Sequence, residues 1–231
     1  MQTQKAKKQD GFSLIELAVA MVIMLSLLAI VSSVMSRTVS IRQRESRRTD
    51  ALTSAQAALN VISREIANTG FGIYDGNSVL MADNGIIVAD SDAHKIHFRT
   101  NFNNTGPRTA PPGSTVLSTN RPDENVTYFF DDDTDSIVRY DPCGTLTSAN
   151  VCVPQTSYVV NKISNVTFEY YNYVGVNSTP TVTNVPTADT GRVRITVSVE
   201  MDPVVGQPDG QRVTFTTDVT LRNSNYMLRQ Y

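Results

Sequence analysis

Residues 17–36 run for twenty positions without a charge or a proline, and charge returns only at Arg37. At about 1.5 Å per residue such a run makes a helix of roughly 30 Å, the thickness of a bilayer's hydrocarbon core. The pattern then narrows. Leu52, Ala55, Leu59, Ile62 and Ile66 recur at spacings of 3, 4, 3 and 4, a single apolar stripe, with Arg48, Asp50, Arg64 and Glu65 off it. Gly70, following Asn68 and Thr69, sits where a helix stops. The pattern therefore predicts one helix from Phe12 to about Asn68, roughly 85 Å long, with an apolar first half and an amphipathic second half.

Beyond Gly70 the period changes to two, and short strands alternate with polar turns. Strands are expected at 86–89 and 95–99, separated by the turn-like Asp90-Ser91-Asp92. The proline- and glycine-rich stretch 103–122 reads as a loop. Residues 125–130 and 136–140 read as a hairpin turning at the acidic run 131–135. Further strands are expected at 158–160 and 166–171, with 174–190 as another loop. The clearest alternation comes last: Val193, Ile195, Val197 and Val199 share one face of 192–200, and Val213, Phe215, Thr217, Val219 and Leu221 repeat it. Joined by 203–210, these two form a long antiparallel hairpin with one buried face, suited to cover the helix stripe.

Against this pattern Glu16 stands out, a carboxylate at the mouth of the apolar run. Carried to the membrane centre it would cost about 2.5–3.5 kcal/mol, so it calls for a positive partner outside its own helix. No lysine or arginine lies within one turn of it. A leader with Lys5, Lys7 and Lys8, then Gly11, Phe12, three residues and Glu16 opening an apolar helix closely resembles the type III signal of type IV pilins and pseudopilins. The resemblance is contiguous over 11–34. It implies that a prepilin peptidase on the cytoplasmic side cuts between Gly11 and Phe12 and methylates the Phe12 nitrogen. It also implies that Glu16, then fifth in the mature chain, is an assembly contact to the amino terminus of a neighbouring subunit. Ser33 stands where many major pilins carry a kinking proline, so no kink is expected there.

The rival for this segment is a secretory signal or a plain signal anchor. Ala18-Val19-Ala20 has the small-residue pattern of a signal peptidase site, yet it precedes most of the apolar run, whereas such a cut follows the apolar region. Charge does not orient the helix, because Arg37, Arg42, Arg44, Arg47 and Arg48 outnumber the three leader lysines; the resemblance places the leader in the cytoplasm. Those arginines read either as a snorkelling belt at the headgroups or as a face meeting acidic neighbours. A looser resemblance, carried by 57–66 with Gly70 and by the closing run 216–223, is to PilW-like minor pilins and J-type minor pseudopilins of type II secretion.

Removing residues 1–11 takes away three lysines and one aspartate, which moves the formal net charge from −2 to −4. No basic surplus marks nucleic acid as a partner. Cys143 and Cys152 are the two cysteines. Outside the cytoplasm such a close pair reads as a disulfide, placed here in a loop with Pro142, Gly144 and Pro154; half of a four-cysteine zinc site would lack its other half. His94 and His97 are three apart in an expected strand and point to opposite faces, so they share neither a metal nor a proton relay. No nucleophile elbow or phosphate-binding loop occurs. Asp131, Asp133 and Asp135 fit positions 1, 3 and 5 of an EF-hand loop, but Ser136 and Pro142 replace its glycine and bidentate glutamate. A looser calcium site or a solvated turn both remain.

These readings combine into an α+β pilin-like fold. Residues 1–11 are a cytoplasmic leader. Residues 12–69 are the long helix, membrane-spanning over about 14–36, and 70–231 are an antiparallel β-rich periplasmic head on which the helix packs. The resemblance implies a minor pilin or pseudopilin subunit, not an enzyme, with no cofactor and no metal. Its partners are then the prepilin peptidase, other pilin or pseudopilin subunits through the N-terminal helix, and the inner membrane. The alternative is a membrane-anchored periplasmic binding protein or hydrolase that uses the helix only as a tether.

Overall fold

A computed structural model describes residues 13–73, 84–102, 121–161, 163–175, 178–200 and 211–228. It contains one long helix and two antiparallel sheets of four strands each, an α+β pilin-like arrangement. The chain divides into two compact units, and the division falls between Ser46 and Arg47, within the helix. The predicted junction Gly11-Phe12, most of the predicted loop 103–122 and the whole 203–210 connection lie outside the described residues.

Helix α1 (Leu14–Ala67) runs unbroken through Ser33. Ser13 precedes it and Glu16 is its third residue, the Ser-x-x-Glu spacing of a capping box. At its other end the Asn68 and Thr69 amides donate to the Glu65 and Ile66 carbonyls, and Gly70 takes a left-handed conformation at φ +79° that releases the chain. The predicted stripe is buried at Ala55, Leu59, Ile62 and Ile66, and Ala58 joins it. Leu52, at the N-terminal end of the stripe, is only half-buried.

One sheet has the order β1 (Lys95–Arg99), β2 (Asn125–Asp131), β3 (Ser136–Leu146), β4 (Cys152–Asn161). The other has the order β6 (Thr181–Thr183), β5 (Asn165–Asn172), β7 (Thr190–Glu200), β8 (Arg212–Thr220), and the short helix α2 (Asn225–Leu228) closes the described chain. β7 and β8 pair antiparallel from Arg192 opposite Thr220 to Glu200 opposite Arg212. Val193, Ile195 and Val197 are fully buried, as their alternation predicts. Phe215 of β8 is only partly covered, and burial in that strand is complete only toward its end, at Val219.

A single apolar cluster joins the helix stripe to Ile96, Phe98, Val126, Tyr128 and Ile137 of the first sheet and to Val166, Phe168, Tyr170 and the β7 valines of the second. Each such side chain contributes about 1.5–3 kcal/mol relative to exposure, so this shared core fixes the last turns of α1 to the head. Polar links add register. The Phe168 amide donates to the Ala93 carbonyl at 2.7 Å, and the Tyr170 hydroxyl donates to the Asp92 carbonyl at 3.0 Å.

Three expectations are corrected. Residues 86–89 make no strand: Ile86 forms one bridge to Phe98, and Val88–Asp90 curls into a 3-10 turn. Local polar bonding overrides the apolar run there, because Asp90 turns its amide to the Ile87 carbonyl and its carboxylate to Lys95 and His97. The cysteine segment is mostly not a loop. Pro142, Cys143 and Gly144 lie in β3 and Pro154 in β4, and an irregular register between Asp141 and Thr145 accommodates them. The expected loop 174–190 contains β6, which pairs Thr181, Val182 and Thr183 with Asn172, Tyr171 and Tyr170, and its last residue, Thr190, already begins β7.

Candidate assembly interface

The apolar part of α1 is built for an environment other than water. Leu14, Ile15, Met24, Leu25 and Met35 are all more than 60 % exposed, and the segment is long and apolar enough to cross a membrane. An isolated chain with such a surface would aggregate, so lipid or neighbouring helices must cover it. Glu16 is the one charge in this stretch and lies in the first turn. The positive end of the helix dipole favours a carboxylate there by about 0.3–1 kcal/mol, which offsets part of its cost in lipid. Among the described residues no cation pairs with it.

At the other end of α1 a charged network ties helix to head. Arg139 of β3, 13 % exposed, donates from Nε to Glu65 of the helix at 3.1 Å and from Nη2 to Asp123, and its Nη1 lies 3.8 Å from the fully buried Asp141. Asp141 in turn accepts from the Cys143 amide at 2.8 Å and the Asp123 amide at 2.7 Å. Burial by itself would lower the Arg139 pKa, but Glu65, Tyr128 and Asp123 together hold it above the usual arginine range. Burial, with Glu65 beside it, pushes the Tyr128 hydroxyl above the usual phenol range. The sequence gives no local sign of this cluster, since Arg139 and Glu65 are 74 residues apart. Arg139→Met is expected to lower stability by about 1.5–3 kcal/mol, the worth of hydrogen bonds to charged groups, read as a shift in the denaturant midpoint.

Cys143 and Cys152 form a disulfide across β3 and β4, and Leu146 stands opposite Cys152 in the ladder. Chain-entropy arithmetic for so short a loop gives about 2–3 kcal/mol. The double variant Cys143→Ser, Cys152→Ser is expected to lose that much in denaturation, and the unreduced wild type to give no reaction with a thiol reagent.

The other candidate groups serve the fold. His94 meets the Val166 carbonyl through Nδ1 at 3.0 Å, whereas His97 lies between Asp90 at 2.7 Å and Asn125 at 2.6 Å. Burial opposes ionisation of Asp90, yet Lys95 and His97 keep its carboxyl below the usual range. In the acidic turn Asp131 accepts from the Asp133 amide at 3.2 Å and the Thr134 hydroxyl at 2.7 Å, closing the β2–β3 hairpin. Among the described residues no group of three His, Cys, Asp or Glu is placed to hold a metal.

Over residues 6–32 the chain matches the family described as the prokaryotic N-terminal methylation motif. No curated protein and no solved structure matches it. That motif belongs to a structural family, not a catalytic one, and implies processing by a prepilin peptidase and assembly with other pilins. The motif, the exposed apolar helix that continues from it and the antiparallel head beyond Gly70 together support a type IV pilin-like protein.

Proposed function

We propose that the chain is a minor pilin or pseudopilin subunit that enters a type IV pilus or a type II secretion pseudopilus, in an initiating or tip complex. It is made as a single-pass inner-membrane precursor with residues 1–11 in the cytoplasm and the head in the periplasm. The prepilin peptidase removes the leader between Gly11 and Phe12 and methylates the Phe12 nitrogen. Side-by-side packing of the apolar helices then assembles the subunit, with Glu16 against a neighbour's methylated amine. The observation that carries this reading is Glu16: a carboxylate in the first turn of a helix whose next twenty residues hold no charge. A tether gains only the small stabilisation of a helix start from it, whereas a filament subunit also gains a register mark.

The test is the amino terminus of the protein recovered from cells. N-methylated Phe12 is expected for the wild type, and Gly11→Val is expected to keep residues 1–11 because its branched side chain obstructs the peptidase. A wild-type terminus at Met1, or at a site beyond Ala20, would discard the proposal in favour of a tether or a secreted domain.

A further inference from the structure

The apolar run of α1 ends abruptly in positive charge. Residues 17–36 carry none, and 37–48 then hold Arg37, Arg42, Arg44, Arg47 and Arg48 against the single acid Glu45. The helix passes through both stretches without a break. Thr38 and Ser40 donate their hydroxyls back to the Val34 and Ser36 carbonyls at 2.9 and 3.0 Å, so these two side chains are satisfied within the helix. Arg37 and Arg42 beside them are both exposed.

Depth and direction select what these two arginines meet. Twenty apolar residues span the hydrocarbon core, which puts Arg37 at its boundary. The headgroup layer beyond is about 5–7 Å thick, and Arg42 stands about 7.5 Å further along, at the outer side of that layer. Five residues also carry the helix through about one turn and 140°, so the two side chains leave it on different faces. A neighbouring helix meets one face, whereas headgroups surround a helix at this depth on every side. A guanidinium suits the phosphate there, because its planar fork is always charged and donates two parallel hydrogen bonds. A zwitterionic lipid sets its own cation beside that phosphate, and an anionic one does not.

We propose that, in the membrane-inserted chain, Arg37 and Arg42 bind the headgroup phosphates of anionic phospholipid in the leaflet nearer residue 37; this rests on α1 spanning a membrane and does not depend on how the subunit later assembles. Each arginine close to an anionic surface gains about fivefold in occupancy, the effect of roughly 1 kcal/mol. Arg48, eleven residues along α1 from Arg37, stands about 16 Å beyond the boundary, further than the screening length of about 8 Å in physiological salt. The site is therefore confined to the two arginines at headgroup depth and is not a property of the whole basic stretch.

The test uses the full-length chain in phosphatidylcholine vesicles that hold a trace of photoreactive lipid, either phosphatidylglycerol or phosphatidylcholine, with a diazirine at the glycerol end of one acyl chain. Mass spectrometry maps the adducts, which keeps those on residues 31–36 apart from any beside the leader lysines. The same two lipids with the diazirine at the chain terminus label residues 17–30 when the helix is inserted. On 31–36 phosphatidylglycerol is expected to exceed phosphatidylcholine by about twentyfold, the product of two fivefold gains. Arg37→Gln or Arg42→Gln should lower that preference about fivefold, the double variant at least about tenfold, and Arg48→Gln less than twofold. Equal yields from the two lipids on 31–36, with 17–30 labelled, would overturn the lipid site and leave acidic protein neighbours to meet the arginines. A preference that survives the double variant, or falls as far in Arg48→Gln, would overturn the assignment to Arg37 and Arg42. Failure to label 17–30 would remove the membrane span and the site with it.

Discussion

Gly85→Ala is expected to destabilise the head by about 2–5 kcal/mol, because two backbones cross at this point with no room for a methyl group. Gly85 has φ +81°, and a Cβ built there would lie 2.4 Å from the Gly70 nitrogen, 2.5 Å from its Cα and 2.7 Å from the Arg99 carbonyl oxygen. The left-handed backbone alone costs an alanine about 1–2 kcal/mol. Forcing rigid backbone apart adds about 1–3 kcal/mol, as overpacking does elsewhere. The crossing also holds hydrogen bonds: the Gly70 amide donates to the Arg99 carbonyl and the Arg99 amide to the Gly85 carbonyl, both at 2.9 Å. Movement of Gly85 therefore disturbs the helix exit and the edge of β1 together. Gly175→Ala supplies the comparison, since it shares a positive φ, +99°, but a Cβ there meets nothing within 4 Å. It should lose only the conformational part, about 1–2 kcal/mol. Denaturant midpoints of both variants decide the matter, and equal losses at the two positions would show that the close crossing carries no energy.

The Gly70–Gly85 crossing also marks the limit of what the chain reveals on its own. Periodicity is a property of one segment, so the helix stripe at Ala55, Leu59, Ile62 and Ile66 and the alternating valines of β7 are legible without knowledge of the fold. Gly70 reads correctly as a helix stop for the same local reason. Its second task, making room for Gly85, depends on a partner fifteen residues away whose own glycine carries no pattern. β1, β5 and β7 are found close to their true limits because each buries one face fully. β3 and β4 run on through Pro142, Gly144 and Pro154, residues that normally end strands, because the disulfide and the bonds to Asp141 replace the missing ladder contacts. In the candidate interface the sequence isolates Glu16 by contrast with its uncharged surroundings. The Ser13 to Glu16 spacing is equally local, and it is the spacing that would give Glu16 a second role, in helix capping.

That second role makes the charge of Glu16, not merely its presence, the quantity to vary. If Glu16 meets the methylated amine of a neighbouring subunit in a low-dielectric core, Glu16→Val leaves that amine unpartnered, and loss of one member of a buried pair costs about 3–5 kcal/mol. The variant should be cleaved and inserted normally, since a carboxylate hinders insertion and valine does not. It should nevertheless co-purify poorly with its partner subunits, with apparent affinity down by about two to three and a half powers of ten. Valine also removes the side-chain oxygen that a capping box uses at this position, a loss of up to about 0.5–2 kcal/mol on the scale of helix caps, so it cannot by itself separate the two roles. Glu16→Gln can. Glutamine serves at the third helical position of a capping box as well as glutamate does, yet carries no charge. If pairing with the amine is what matters, the glutamine variant should assemble almost as poorly as the valine variant while its leader is removed at the wild-type rate. Recovery of assembly by glutamine would assign Glu16 to the helix start alone, and normal assembly of both variants would leave the apolar helix surface to hold the subunits together unaided.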